Sequence, residues 1–277
     1  MLMQLACGRR LVCRLHHLQD FKGAGTEGGR HRGIIDAGII APMQAAAPLT
    51  IEQLYYGRHR LAFRAGTYLA LIRMMGVGHL VTALYGHTQL LAQTHARLAR
   101  TRATLRDLIC DGFDSPRGQA AVQRLRDVHR GLQATPEDFR YVLATFFLEP
   151  LRWNDEFGRT PLSPPELDLL LGFWRRVGES MHIEDLPRTL AQWRAGQRAY
   201  ELRHLRFTEE GRRLAQLCLR DVVKLTVPAG ARWAFRRLMR ATMEPSIRQT
   251  LGLEPVSPFT GWALRRLLPG QGLGAAS

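Results

Sequence analysis

From Thr50 onward, apolar side chains return every three to four residues. No stretch alternates on the two-residue rhythm of a half-buried strand. Ile51 to Met75 follows the helical period, punctuated by Gly57, Gly66 and Gly76, and residues 65–91 are the most apolar part of the chain. Arg73 lies inside that part, and a central arginine costs about 2.5–3.5 kcal/mol on a membrane-insertion scale. The pattern therefore predicts a buried helix pair, not a membrane span. Residues 97–133 predict two helices folded back on each other. The first runs to about Cys110, and the second opens at Ser115-Pro116, a cap residue followed by proline at the first helical position.

Further start signals follow. Thr135-Pro136-Glu137-Asp138 supplies a cap, a proline and first-turn acids, and Ser163-Pro164-Pro165-Glu166 is a capping box. Asp185-Leu186-Pro187 predicts a helix through Trp193 and Tyr200 to about Phe207, followed by segments at 209–225 and 228–251. Pro150 is expected to interrupt the helix begun at Pro136 and so shape a pocket wall. The fold class is all-α, a single multi-helix domain of about eight to ten helices, with no tandem repeat.

Residues 1–48 break the pattern. They are Gly-rich between Lys22 and Gly33 and lack the apolar core of a secretory signal. They are expected to be a disordered extension or a start-site artefact, with Met43 as the functional start. The helical domain is expected over 49–270 and a flexible tail over 271–277.

Composition changes this picture little. The four cysteines are widely spaced and contain no Cys-x-x-Cys, which argues against a disulfide framework or zinc ribbon and fits a reducing, cytoplasmic setting. The net charge of +15 invites a nucleic-acid reading. Only Lys22 and Lys224 are lysines, however, and the arginines are spread over every helix with no nucleic-acid-binding signature. The chain is expected not to bind nucleic acid. Peripheral contact with an anionic membrane, through residues 232–240 and 262–266, stays open.

Four chemistries were weighed. Glu201 and His204 form one Glu-x-x-His, but a di-iron bundle needs two such motifs and two further glutamates. His79, His87 and His95 are spaced by eight and drift around a helix axis. No Gly-x-Ser-x-Gly or phosphate-binding loop is present. The fourth is haem held by one axial histidine in a helical pocket. Arg100 and Thr104, four apart, share a face of the first hairpin helix, and His129 lies late in the second. At a rise of ~1.5 Å per residue, Arg100 lies ~16 Å before the turn and His129 ~19 Å after it, so the antiparallel pair brings them nearly level.

Motifs in order along the chain then carry a resemblance. They are Arg100-x-x-x-Thr104, Val128-His129, the run from Tyr141 to Trp153 (YVLATFFLEPLRW) and Phe157-Gly158-Arg159. Phe173 to Gly178, Met181 to Pro187 and Tyr200-Glu201 follow. Over about 110 residues this resembles the MpaB/rubber-oxygenase (latex-clearing protein) catalytic-domain family. The resemblance implies a globin-reminiscent all-α fold binding haem b, with His129 as the proximal iron ligand. It implies that Arg100 and Thr104 lie on the distal side, where Arg100 meets bound dioxygen or a haem propionate and Thr104 offers a hydroxyl. It also implies oxidative cleavage of unsaturated, isoprenoid-like apolar substrates with dioxygen. Rubber oxygenases place a distal Lys directly before the Thr. Here that residue is Ala103, which implies a distal iron site open or held by water. The alternatives are a non-catalytic or peroxidase-like haem protein, or a basic helical protein of the membrane surface.

Overall fold

The computed structural model describes residues 49–87 and 90–267, with side chains described outside 84–98, 265 and 267. The expectations for residues 1–48 and for the tail at 271–277 fall outside these. The described residues form α1 (Ile51–Tyr56), α2 (Arg60–Arg73), α3 (Gly78–His87), α4 (Leu90–Asp111), α5 (Pro116–His129) and α6 (Pro136–Phe157). After these come α7 (Pro164–Ser180), α8 (Leu190–His204), α9 (Glu209–Thr226), α10 (Arg232–Ala241), α11 (Pro245–Thr250) and α12 (Pro258–Leu267), with single 3₁₀ turns at Met74–Gly76 and Ala229–Ala231. The all-α class holds. The excess over ten helices comes from six-residue pieces such as α1 and α11. Among the described residues there is no strand, only an isolated bridge between Val77 and Leu205. No described helix is long and apolar enough to cross a membrane.

The caps follow local chemistry. Ser115 accepts from the Gly118 amide at the start of α5. The Thr135/Asp138 and Ser163/Glu166 pairs close capping boxes on α6 and α7. Each such cap contributes roughly 1 kcal/mol. The start expected at Asp185 is corrected. Asp185 has φ +53°, in the left-handed region, and α8 begins five residues later. There Thr189 and Gln192 satisfy the orphan amides in a capping box of their own.

At the centre, α2 packs along α6. Helix α6 shares its apolar residues between two cores. Tyr141 and Trp153 enter one core with α2, α8, α9 and α10. Phe147, Leu148 and Leu151 enter a second with α1, α4, α5 and α7. Pro150 does not interrupt α6, which runs unbroken from Pro136 to Phe157. Helix α2 comes close to α6 at that proline. A Cβ on Gly66 would sit 2.3 Å from the Pro150 Cα, so the two backbones touch where α6 lacks an N–H.

Candidate functional site

The α4–α5 hairpin sets the register of the three residues singled out from sequence. Its turn uses Gly112 at φ +72°. Across the hairpin, Arg124 of α5 donates to Asp107 at 2.6 Å and to the Thr104 hydroxyl at 3.4 Å. Carried one turn further, this register sets Arg100 level with His129, as the rise per residue predicts. Thr104 is buried, Arg100 is exposed and His129 is half-buried.

His129 closes α5. Its Nδ1 lies 2.6 Å from the Leu125 carbonyl. A carbonyl only accepts, so Nδ1 carries the proton, and in the neutral ring the lone pair is on Nε2. The Phe139 ring meets the imidazole edge-on at 5.8 Å. One turn before His129, Arg126 donates to the Ser180 carbonyl at 2.7 Å and ties this end of α5 to α7.

Asp138, the neighbour of Phe139, gathers a polar cluster that sequence reasoning missed. Beyond its cap role it accepts from His79 Nε2 at 2.7 Å and from the Tyr200 hydroxyl. Burial pushes the Asp138 carboxyl up, but hydrogen bonds from Tyr200, His79 and Thr135 outweigh it and hold the carboxyl below its ordinary range. Burial and the Asp138 charge push the Tyr200 phenol well up, so it stays a donor. The His204 ring adjoins both His79 (5.2 Å) and Tyr200 (4.5 Å).

This cluster continues inward. Tyr200 stacks on Tyr141 at 4.2 Å, and the Tyr141 hydroxyl donates to Glu201. Glu201 holds Arg73 in a two-pronged pair of 2.6 and 2.7 Å. Arg73 also reaches Glu149 (3.1 Å) and Glu244 (2.7 Å), and Arg152 reaches Glu149 (3.0 Å). Glu201 thus serves a buried ion network. His79 is engaged with Asp138, and the side chains of His87 and His95 lie outside the described ones. Among the described residues no three His, Cys, Asp or Glu side chains are grouped to hold a metal ion. A single-imidazole iron site needs no such group.

Two other features bear on binding. A shallow groove of about 480 Å³ runs between α5 and α7, lined by Phe113, Val122, Arg126 and Arg176 among others; Arg100, Thr104 and His129 are not part of it. The Tyr68 hydroxyl is buried with no hydrogen-bond partner among the described residues, and Arg102 of α4 lies 6.0 Å over its ring.

Comparison with known proteins adds the family context. The family described as "ER-bound oxygenase mpaB/B'/Rubber oxygenase, catalytic domain" matches residues 54–272. Two similar curated proteins are ER-bound oxygenase mpaB and ER-bound oxygenase mpaB', both from Penicillium brevicompactum. Each is 28% identical over 160 residues, covering 52% of this chain. The matched segment covers 41% of the first and 38% of the second, so well under two thirds of either relative is represented.

Proposed function

The chain belongs to the ER-bound oxygenase mpaB/B'/rubber-oxygenase catalytic-domain family, and from that premise we propose that it is a haem-b-dependent oxygenase acting with dioxygen on an unsaturated, isoprenoid-like apolar substrate. The observation that carries the haem reading is His129. Its Nδ1–H is tied to the Leu125 carbonyl, which sets the tautomer and orients the ring. Iron-ligating histidines are oriented by such a bond on the other ring nitrogen. The donor set fits the group, with one oriented imidazole, a buried hydroxyl at Thr104 and a permanent cation at Arg100.

The roles follow from chemistry. His129 would hold the iron through Nε2. Helix α5 ends at His129. Arg100 is exposed, and its planar guanidinium fork would pair with a propionate carboxylate of the group. Thr104 holds a hydroxyl in a dry setting, where a hydrogen bond is worth more than in water. Haem supplies the iron that activates dioxygen. Residue 103, directly before Thr104, is Ala and offers no further ligand.

The test is oxygen consumption by the haem-loaded protein given an unsaturated isoprenoid under isotopically labelled dioxygen. The expected result is labelled carbonyl products, lost in His129→Ala. Ala103 also motivates a second reading, a peroxidase-like haem protein. That reading is favoured if the products lack label while a dye is oxidised with added peroxide.

A further inference from the structure

Helices α10 and α12 carry a surface that the reading above does not use. Between Asp221 and Glu244 the chain has no carboxylate but holds Lys224, Arg232, Arg236, Arg237 and Arg240, and residues 255–267 contain no acid but two arginines. Glu254 is the acid that reaches this surface, and Arg240 pairs with it at 2.5 Å.

Large aromatic side chains stand out on the same helices. Trp233 is 65% exposed, Phe259 73% and Trp262 53%. By contrast Trp153, Trp174 and Trp193 are each 3% exposed or less. Both helices repeat one arrangement, a tryptophan followed four residues later by an arginine lying over its ring. Arg237 covers Trp233 at 4.9 Å and Arg266 covers Trp262 at 5.9 Å. Phe259 stacks on Trp262 at 5.7 Å. The helices pack together, and Arg237 reaches the Thr260 hydroxyl at 3.5 Å.

We propose that this α10–α12 face docks on the surface of an anionic phospholipid bilayer. Charge complementarity selects the partner, because the face is cationic with its local acid already neutralised. The rings select a bilayer over a purely polar polyanion. Tryptophan favours the headgroup level, where its body is apolar and its N–H is wet. Arginine lays its stem on apolar surface and keeps its head at the phosphates. A ring already stacked on a neighbouring ring, or roofed by a guanidinium, is poorly presented for base stacking. The docking needs no membrane-spanning helix and does not depend on the haem reading.

The experiment is co-sedimentation of the full chain with phosphatidylcholine vesicles, with and without phosphatidylglycerol. Tryptophan emission is followed with brominated lipid as quencher, and far-UV circular dichroism checks the fold. Binding is expected to acidic vesicles only and to weaken with salt. Arg236→Gln with Arg237→Gln is expected to weaken it about 30-fold, at the usual contribution of a basic residue near an acidic surface. Bromine quenching is expected to disappear in Trp233→Ala with Trp262→Ala. The proposal is overturned if wild type ignores acidic vesicles or binds neutral ones equally. It is also overturned if the folded variants bind like wild type, or if the same variants instead abolish self-association or binding to single-stranded DNA in a protein that ignores vesicles.

Discussion

Replacing Arg73 with Leu tests the energetics of the interior directly. Arg73 is buried, and burial opposes its charge; its bond to Glu201 and the charges of Glu149, Glu201 and Glu244 outweigh that and hold the guanidinium more basic than usual. Of these acids, Glu149 keeps Arg152 when Arg73 is lost. The Glu244 side chain is 37% exposed, so solvent screens its pair. Glu201 is only 13% exposed and would keep just the Tyr141 hydroxyl. The cost is then that of stranding one buried carboxylate, about 3–5 kcal/mol. With a urea m-value of ~2–3 kcal/mol per molar, the midpoint falls by roughly 1–2.5 M. Urea unfolding followed by circular dichroism at neutral pH measures this. Arg73→Leu with Glu201→Gln removes the stranded charge and should recover more than half of the loss. A single variant within about 1 kcal/mol of wild type, or a double variant no more stable than the single, would refute the account of the network.

Other outcomes follow from the same geometry. Gly66→Ala drives a Cβ into the Pro150 backbone and should cost at least about 1–3 kcal/mol, read as a lowered melting temperature. Asp138 has a depressed folded pKa, so its contribution is present above the ordinary carboxylate pKa of 3.8 and is lost as pH falls through the folded value. Asp138→Asn should therefore lower stability at neutral pH and flatten the acid limb of the stability–pH curve measured by urea titration. Thr104→Val should keep haem affinity while slowing oxygen consumption by roughly tenfold or more, the effect of one lost hydrogen bond to a developing charge. An unchanged rate would remove Thr104 from the chemistry.

The fold was legible in sequence wherever the signal was local. The Ser115, Thr135 and Ser163 caps, the hairpin register and the burial of Arg73 all rest on contacts within a few residues or on composition. Two errors came from reading proline too strongly. Pro187 predicts a helix start, but the Thr189/Gln192 box satisfies the first amides of α8. Pro150 predicts a break, yet α6 runs through it from Pro136 to Phe157. What stayed hidden was non-local. Asp138 announced only its cap, and nothing in the chain says that His79 and Tyr200, each about sixty residues away, converge on it. Likewise the partners of Arg73 come from α6, α8 and Glu244, just before α11, up to 171 residues distant. The α4–α5 pairing was legible because an antiparallel hairpin has one free parameter, the turn.

The central claim rests on His129, and an absorption spectrum of the protein purified with haem available tests it most directly. The account expects an intense Soret band in wild type, shifted on reduction. In His129→Ala, with circular dichroism unchanged, that band should be lost and then partly restored by added imidazole. A folded wild-type protein that stays colourless after haem reconstitution would contradict it, as would a His129→Ala variant whose Soret band matches wild type.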